Sequence, residues 1–168
     1  MMKSVQLLKG EEFEIGTTDK HGNPLKQSDF VVTQNDFEGI SICRILYNGI
    51  TKEFVAMSSS NWWIPYHDLS IVTERLDHVI AKEFLGLEKC GGYWGKNNTP
   101  FIRMPIKYFN PVEESTAILE KLGRQYDDLF TVKEKGCWYL TVNKKIYSEA
   151  RLGIASCLAA IDTVRNNG

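Results

Sequence analysis

Residues 148–165 read SEARLGIASCLAAIDTVR, and the way this stretch must be covered decides the fold. Ala150, Ile154, Cys157, Leu158, Ile161 and Val164 recur at helical spacing, while Glu149, Arg151, Asp162 and Arg165 fall mostly on the opposite side. The pattern predicts a helix capped by Ser148 whose apolar side lies on a sheet or another helix, because a helix of this length is marginal alone. Its partners must come from the residues before it.

Immediately upstream, Asp128–Val132 and Cys137–Asn143 read as strands around a Lys133-Glu134-Lys135-Gly136 turn. Before them, Asn110-Pro111-Val112-Glu113 offers a capping residue, a proline at the first helical position and a glutamate three residues after the cap. It predicts a helix running to Leu122 and stopped by Gly123. The segment from Cys90 to Pro100 is rich in glycine and asparagine and reads as a loop. Thr73 is placed to cap an earlier helix carrying Leu76, Val79, Ile80, Phe84 and Leu87, with Gly86 as its stop.

Residues 1–72 read differently. Short strand-like runs at Val5–Leu8, Phe13–Ile15, Phe30–Val32, Ile40–Tyr47 and Phe54–Met57 are separated by Lys9-Gly10, an exposed Thr17–Ser28 tip, Asn35-Asp36 and Asn48-Gly49. Asn48-Gly49 predicts a tight antiparallel hairpin between Ile42–Leu46 and Ile50–Val55. The expected fold class is α+β: a small antiparallel β-barrel over 1–72, then an α/β sandwich over 73–168 with three helices and a short antiparallel sheet.

Two resemblances sharpen this division. The run Trp62-Trp63-Ile64-Pro65-Tyr66-His67-Asp68-Leu69-Ser70-Ile71-Val72 resembles the closing portion of SH3-like barrels, where a strand, a tight turn and a final short strand end the domain. The ordered helix, loop, helix, hairpin and helix from Leu76 to Val164 resembles the phage ABA sandwich domain. That resemblance rests on Leu76–Gly86, Ser115–Leu122, Trp138–Val142 and Ala150–Ala160, and covers a little over half the chain. It implies viral or prophage origin and supplies no catalytic residues.

Composition narrows the function classes. Twenty Lys and Arg balance 21 Asp and Glu, which argues against a surface built mainly to neutralise phosphates. The four cysteines stand far apart with no C-x-x-C pair, and the three histidines add no ligand spacing, so neither a metal nor another cofactor is expected. Gly91-Gly92 with Gly95-Lys96 lacks the spacing of a phosphate loop. His67-Asp68 and Asp77-His78 are adjacent pairs with no nucleophile in a recognisable elbow, so no catalytic residue is assigned and the chain is read as a non-enzyme. The start lacks a signal-peptide core, and a cytoplasmic protein with reduced thiols in a bacterial host is expected.

The remaining signal is aromatic. Tyr93 and Trp94 sit beside three glycines, and Trp62, Trp63 and Tyr66 crowd one run. Each aromatic is either a recognition anchor or a core plug, and Trp62 and Trp63 point to opposite faces if the run is a strand. The leading expectation is a stoichiometric protein that binds and inhibits a host factor, such as a defence component, through these anchors. A small nucleotide ligand is the first alternative, with the glycine-rich loop closing over a base and Lys96 or Arg103 meeting phosphate. Nucleic-acid binding through the barrel is the second, suited by shape and opposed by charge. Homo-oligomerisation stays open, and no membrane segment is expected.

Overall fold

The computed structural model describes residues 5–6, 13–35, 39–96, 99–106 and 109–166. The Lys9-Gly10 turn and Asp36 of the Asn35-Asp36 turn lie outside them. The chain is mixed α and β with antiparallel sheets, and it divides into two compact units, Met1–Leu76 and Asp77–Gly168. Among the described residues no helix is long and apolar enough to cross a membrane.

The first unit contains β1 (Val5–Gln6), β2 (Glu14–Thr18), β3 (Pro24–Lys26), β4 (Phe30–Asn35), β5 (Gly39–Asn48), β6 (Glu53–Ser58), β7 (Trp63–Ile64) and β8 (Glu74–Arg75). Its main sheet has the order β7-β6-β5-β4-β8, with β1 on β5, and β2 and β3 form a separate hairpin. One face of the sheet packs Val31, Cys43, Ile45, Ala56 and Ile64 against Ile15, Leu25 and Leu69, with Phe54, Trp62 and Tyr66 closing the cluster. The β5–β6 hairpin forms with Leu46 opposite Val55, but the turn is longer than Asn48-Gly49 alone. Asn48 Oδ1 accepts from the Ile50 and Thr51 amides (2.9 and 3.3 Å), and the left-handed residue is Lys52.

The end of this unit corrects two expectations. A 3₁₀ turn at Tyr66–Asp68 and the short helix α1 (Leu69–Val72) precede the final strand, where only strand and turn were expected. Thr73 does not start a helix: its backbone is extended and its hydroxyl donates to the Leu69 carbonyl at 2.6 Å, which closes α1. Glu74 and Arg75 then pair with Val32 and Val31. Helix α2 is therefore only Leu76–Val79, and it widens into a π-helical turn at Ile80–Phe84. Gly86 follows in the left-handed conformation.

The second unit contains β9 (Glu88–Cys90), β10 (Tyr93–Lys96), β11 (Thr99–Pro105), α3 (Thr116–Gln125), β12 (Phe130–Glu134), β13 (Cys137–Val142), β14 (Lys145–Glu149) and α4 (Leu152–Asn166). The glycine-rich loop of the sequence reading is instead an antiparallel sheet of order β11-β10-β9, because Gly91 takes the left-handed position of a tight turn and releases Tyr93–Lys96 to pair on both sides. Asn110 does cap the amides of Val112 and Glu113, yet only a turn follows and α3 begins at Thr116. Gly123 lies inside α3 rather than ending it. A β-carbon there would come within 3.2 Å of Leu129 Cδ2, so this glycine admits a neighbour.

Ser148 is likewise not a cap. It sits on β14, a strand absent from the sequence reading, and α4 starts at Leu152. The most buried residues of α4 are Gly153, Ala155, Ser156, Cys157, Ala159, Ala160 and Ile161, while Ile154, Leu158 and Val164 are only half-buried. Small side chains win the inner positions because α4 is approached closely: a β-carbon on Gly153 would stand 1.8 Å from the Val112 carbonyl oxygen. This helix lies on β13 and β14 and against α3 and the π-helical turn.

Candidate functional site

The aromatic residues separate into core and surface. Trp94 on β10 is fully buried. The His78 ring meets it edge-on (centroids 5.1 Å apart), and Lys89, its partner across β9, lies with its ammonium 5.8 Å from the indole centroid. It is a core side chain, which removes it as a recognition anchor. Tyr93, one residue earlier, points away and is 45% exposed. Lys96 is exposed at the end of β10, and the side chain of Arg103 lies outside the described residues. Trp62 packs on the first unit's core and Tyr66 donates its hydroxyl to the Ile15 carbonyl (2.9 Å), so both hold the fold together. Trp63 is 44% exposed.

Several titratable groups hold neighbouring elements together. Asp19, 2% exposed, accepts from the amides of His21, Asn23 and Arg75, each at 2.9 Å. Burial pushes its carboxyl pKa up, but these donors together outweigh burial and hold it below the usual carboxylate range. Next to it, Glu74 lies 2.9 Å from His21 Nε2 and 3.8 Å from Lys20 Nζ, and Arg75 pairs with Asp29 at 2.9 Å. These contacts tie the β2–β3 tip to β8. In the second unit Asp162 on α4 accepts from Lys145 Nζ (2.9 Å) and the Tyr147 hydroxyl (2.5 Å), fixing β14 to the helix. Burial, then the Asp162 contact, raises the Tyr147 pKa, and burial raises those of Cys157 and Glu149. Among the described residues no cluster of three potential metal ligands occurs, and all four cysteines are free.

The surface that sequence reasoning missed is the outer face of the β12-β13-β14 sheet. Cross-strand register places Phe130 opposite Thr141 and Thr141 opposite Ile146, and in the next row Val132 opposite Tyr139 and Tyr139 opposite Ser148. Phe130 is 61% exposed, Ile146 69% and Tyr139 38%. The other face carries Leu140 and Val142, both buried, together with Lys145 and Tyr147, which reach Asp162 of α4.

Polarity on this sheet is inverted. Of the eight paired residues on the outer face, Glu134 alone is charged, whereas the opposite face, which α4 covers at β13 and β14, holds Lys145 and Glu149 there and an exposed Lys133 on β12. A one-sided antiparallel sheet normally puts its polar side chains toward water. The missing signal was the turn that makes β14. Asn143 and Lys144 both adopt positive φ (51° and 64°), the two-residue hairpin turn that usually takes glycine second, and Asp128 accepts both amides (2.8 and 2.7 Å).

The fold and this face define a small two-unit α+β protein with an uncovered apolar sheet surface. Comparison with protein-family models, curated proteins and solved structures finds no match.

Proposed function

We propose that this chain is a stoichiometric binding protein that docks on a host protein through the outer face of β12-β13-β14, and that it is a phage or prophage accessory protein acting by occlusion. One observation carries the reading: an exposed sheet face on which Phe130, Tyr139 and Ile146 stand in the open and Glu134 alone is charged, less charged than the opposite face that α4 partly covers. Such a face has the composition of an interface centre, with aromatic and aliphatic side chains in the middle and charge displaced to the edge. Phe130, Tyr139 and Ile146 are the anchors, with Val132 and Thr141 between them. The expectation of a phage ABA sandwich domain is retained as part of this proposal, as is an SH3-like barrel for the first unit. Among the described residues the first unit's sheet is open, with β7 and β8 as its two end strands, so the barrel rests on the run Trp62–Val72 alone.

The test is capture from a bacterial lysate with the tagged chain, read by native mass spectrometry, alongside the double variant Phe130→Ser, Ile146→Ser. We expect one stoichiometric protein on the wild type and at least a roughly tenfold lower yield on the variant, whose exposed substitutions leave the fold intact. Equal capture by both would reject the assignment of this face.

A further inference from the structure

We infer that Asn48-Gly49 is a deamidation site that the fold keeps closed and that opens when the β5–β6 hairpin comes apart. The chain holds two Asn-Gly steps, this one and Asn167-Gly168, the latter outside the described residues. In the reaction the Gly49 amide nitrogen gives its proton to solvent hydroxide and attacks Asn48 Cγ. The Cγ–Nδ2 bond breaks, ammonia leaves with a proton taken from water, and a five-membered imide closes between the two residues. Water then opens either imide carbonyl, giving aspartate or isoaspartate at position 48. Glycine favours the attack because it has no Cβ to crowd the nitrogen and its backbone turns freely.

In the folded chain the Asn48 side chain is committed elsewhere. Its Oδ1 accepts from the Ile50 and Thr51 amides at 2.9 and 3.3 Å, and closing the imide takes it off both donors. Ring closure also eclipses Cβ with the Gly49 nitrogen, which needs a ψ outside the extended range. Asn48 is the last residue of β5, paired with Glu53 of β6 and Val5 of β1, so pairing on both sides holds it extended. Water is kept out as well. Asn48 is 1% exposed, and among the described residues nothing hydrogen-bonds its buried Nδ2, so no proton donor stands at the leaving nitrogen. Gly49 to Lys52 are exposed, however, so release of the hairpin frees the site without unfolding the rest of the chain. Isoaspartate adds a methylene to the backbone at this doubly paired position. The register of β5 with β6 and β1 is then lost, and a reversible opening becomes permanent damage.

The experiment incubates the full chain at mildly alkaline pH, folded in buffer and unfolded in guanidinium chloride. Peptide mapping with mass spectrometry follows conversion at positions 48 and 167 separately. We expect position 48 to convert at least about tenfold more slowly in the folded chain than in the unfolded one. Gly49→Ala slows conversion of the unfolded chain by at least about fivefold. Val55 is fully buried on β6, opposite Leu46, and Val55→Ala loosens the hairpin without touching the site. It raises the folded rate by at least about threefold. Folded and unfolded wild type converting within about twofold of each other overturn the proposal. So does an unfolded chain in which position 48 stays intact. A folded Val55→Ala chain that converts at the wild-type rate overturns the hairpin as the gate, and the wild-type comparison decides alone if that variant does not fold.

Discussion

Gly153 shows how one residue can set the distance between two segments. Its backbone lies against the Val112 carbonyl, and a β-carbon would stand 1.8 Å from that oxygen. Gly153→Ala must therefore push α4 away from the 111–113 turn, and we expect a loss of at least about 2 kcal/mol in urea unfolding, more than helix propensity would return. Asp19 is the corresponding polar case in the first unit. Its pKa is lowered on folding, so its contribution is fully present above the unfolded value of about 3.9 and is lost as pH falls through the lower folded value. Asp162 and Asp128 act in the same sense, and Glu149, raised by burial, acts in the opposite one. Thermal melts of Asp19→Asn should be lower than wild type at pH 7 and should fall less between pH 5 and 3. A variant curve parallel to wild type over that range would place the acid sensitivity elsewhere.

At the level of elements, the two hairpin turns of the second sheet explain what could be read from sequence. Lys135-Gly136 carries glycine at the second left-handed position and was legible as a turn. Asn143-Lys144 makes the same turn with lysine there, held by Asp128, a residue 15 and 16 positions upstream that no local pattern connects to it. Lys144→Gly should accordingly raise stability by about 0.5–1 kcal/mol, measured by chemical denaturation. Missing that turn hid β14, and with it the outer face. The glycine-rich segment misled in the opposite direction: Gly91 builds a turn between strands, and the strand it releases takes Trp94 into the core. Thr73 was misread because a hydroxyl that caps the start of a helix can equally bond back to the carbonyl four residues earlier, and only the pairing of Glu74 and Arg75 with β4 decides between them. Periodicity did place a helix near the end of the chain. It marked the large side chains of α4, whereas close approach selected the small ones.

For the molecule as a whole, an α+β architecture with strands first and helices later was readable from the spacing of apolar runs and turn residues. The proposed binding surface was not, since it depends on which strand face a helix covers, and the outer face alternates apolar residues with the equally apolar Leu140 and Val142. The near balance of charge leaves no strong field to steer a partner, so the proposed association rests on contact between apolar faces. Its ionic-strength dependence should be shallow. The most direct measurement is amide hydrogen exchange on the captured complex compared with the free chain. The account predicts slowed exchange in residues 130–134 and 145–149, the two edge strands of the β12-β13-β14 sheet. Protection confined to 88–96 around Tyr93, or no protection of 130–149, would contradict it.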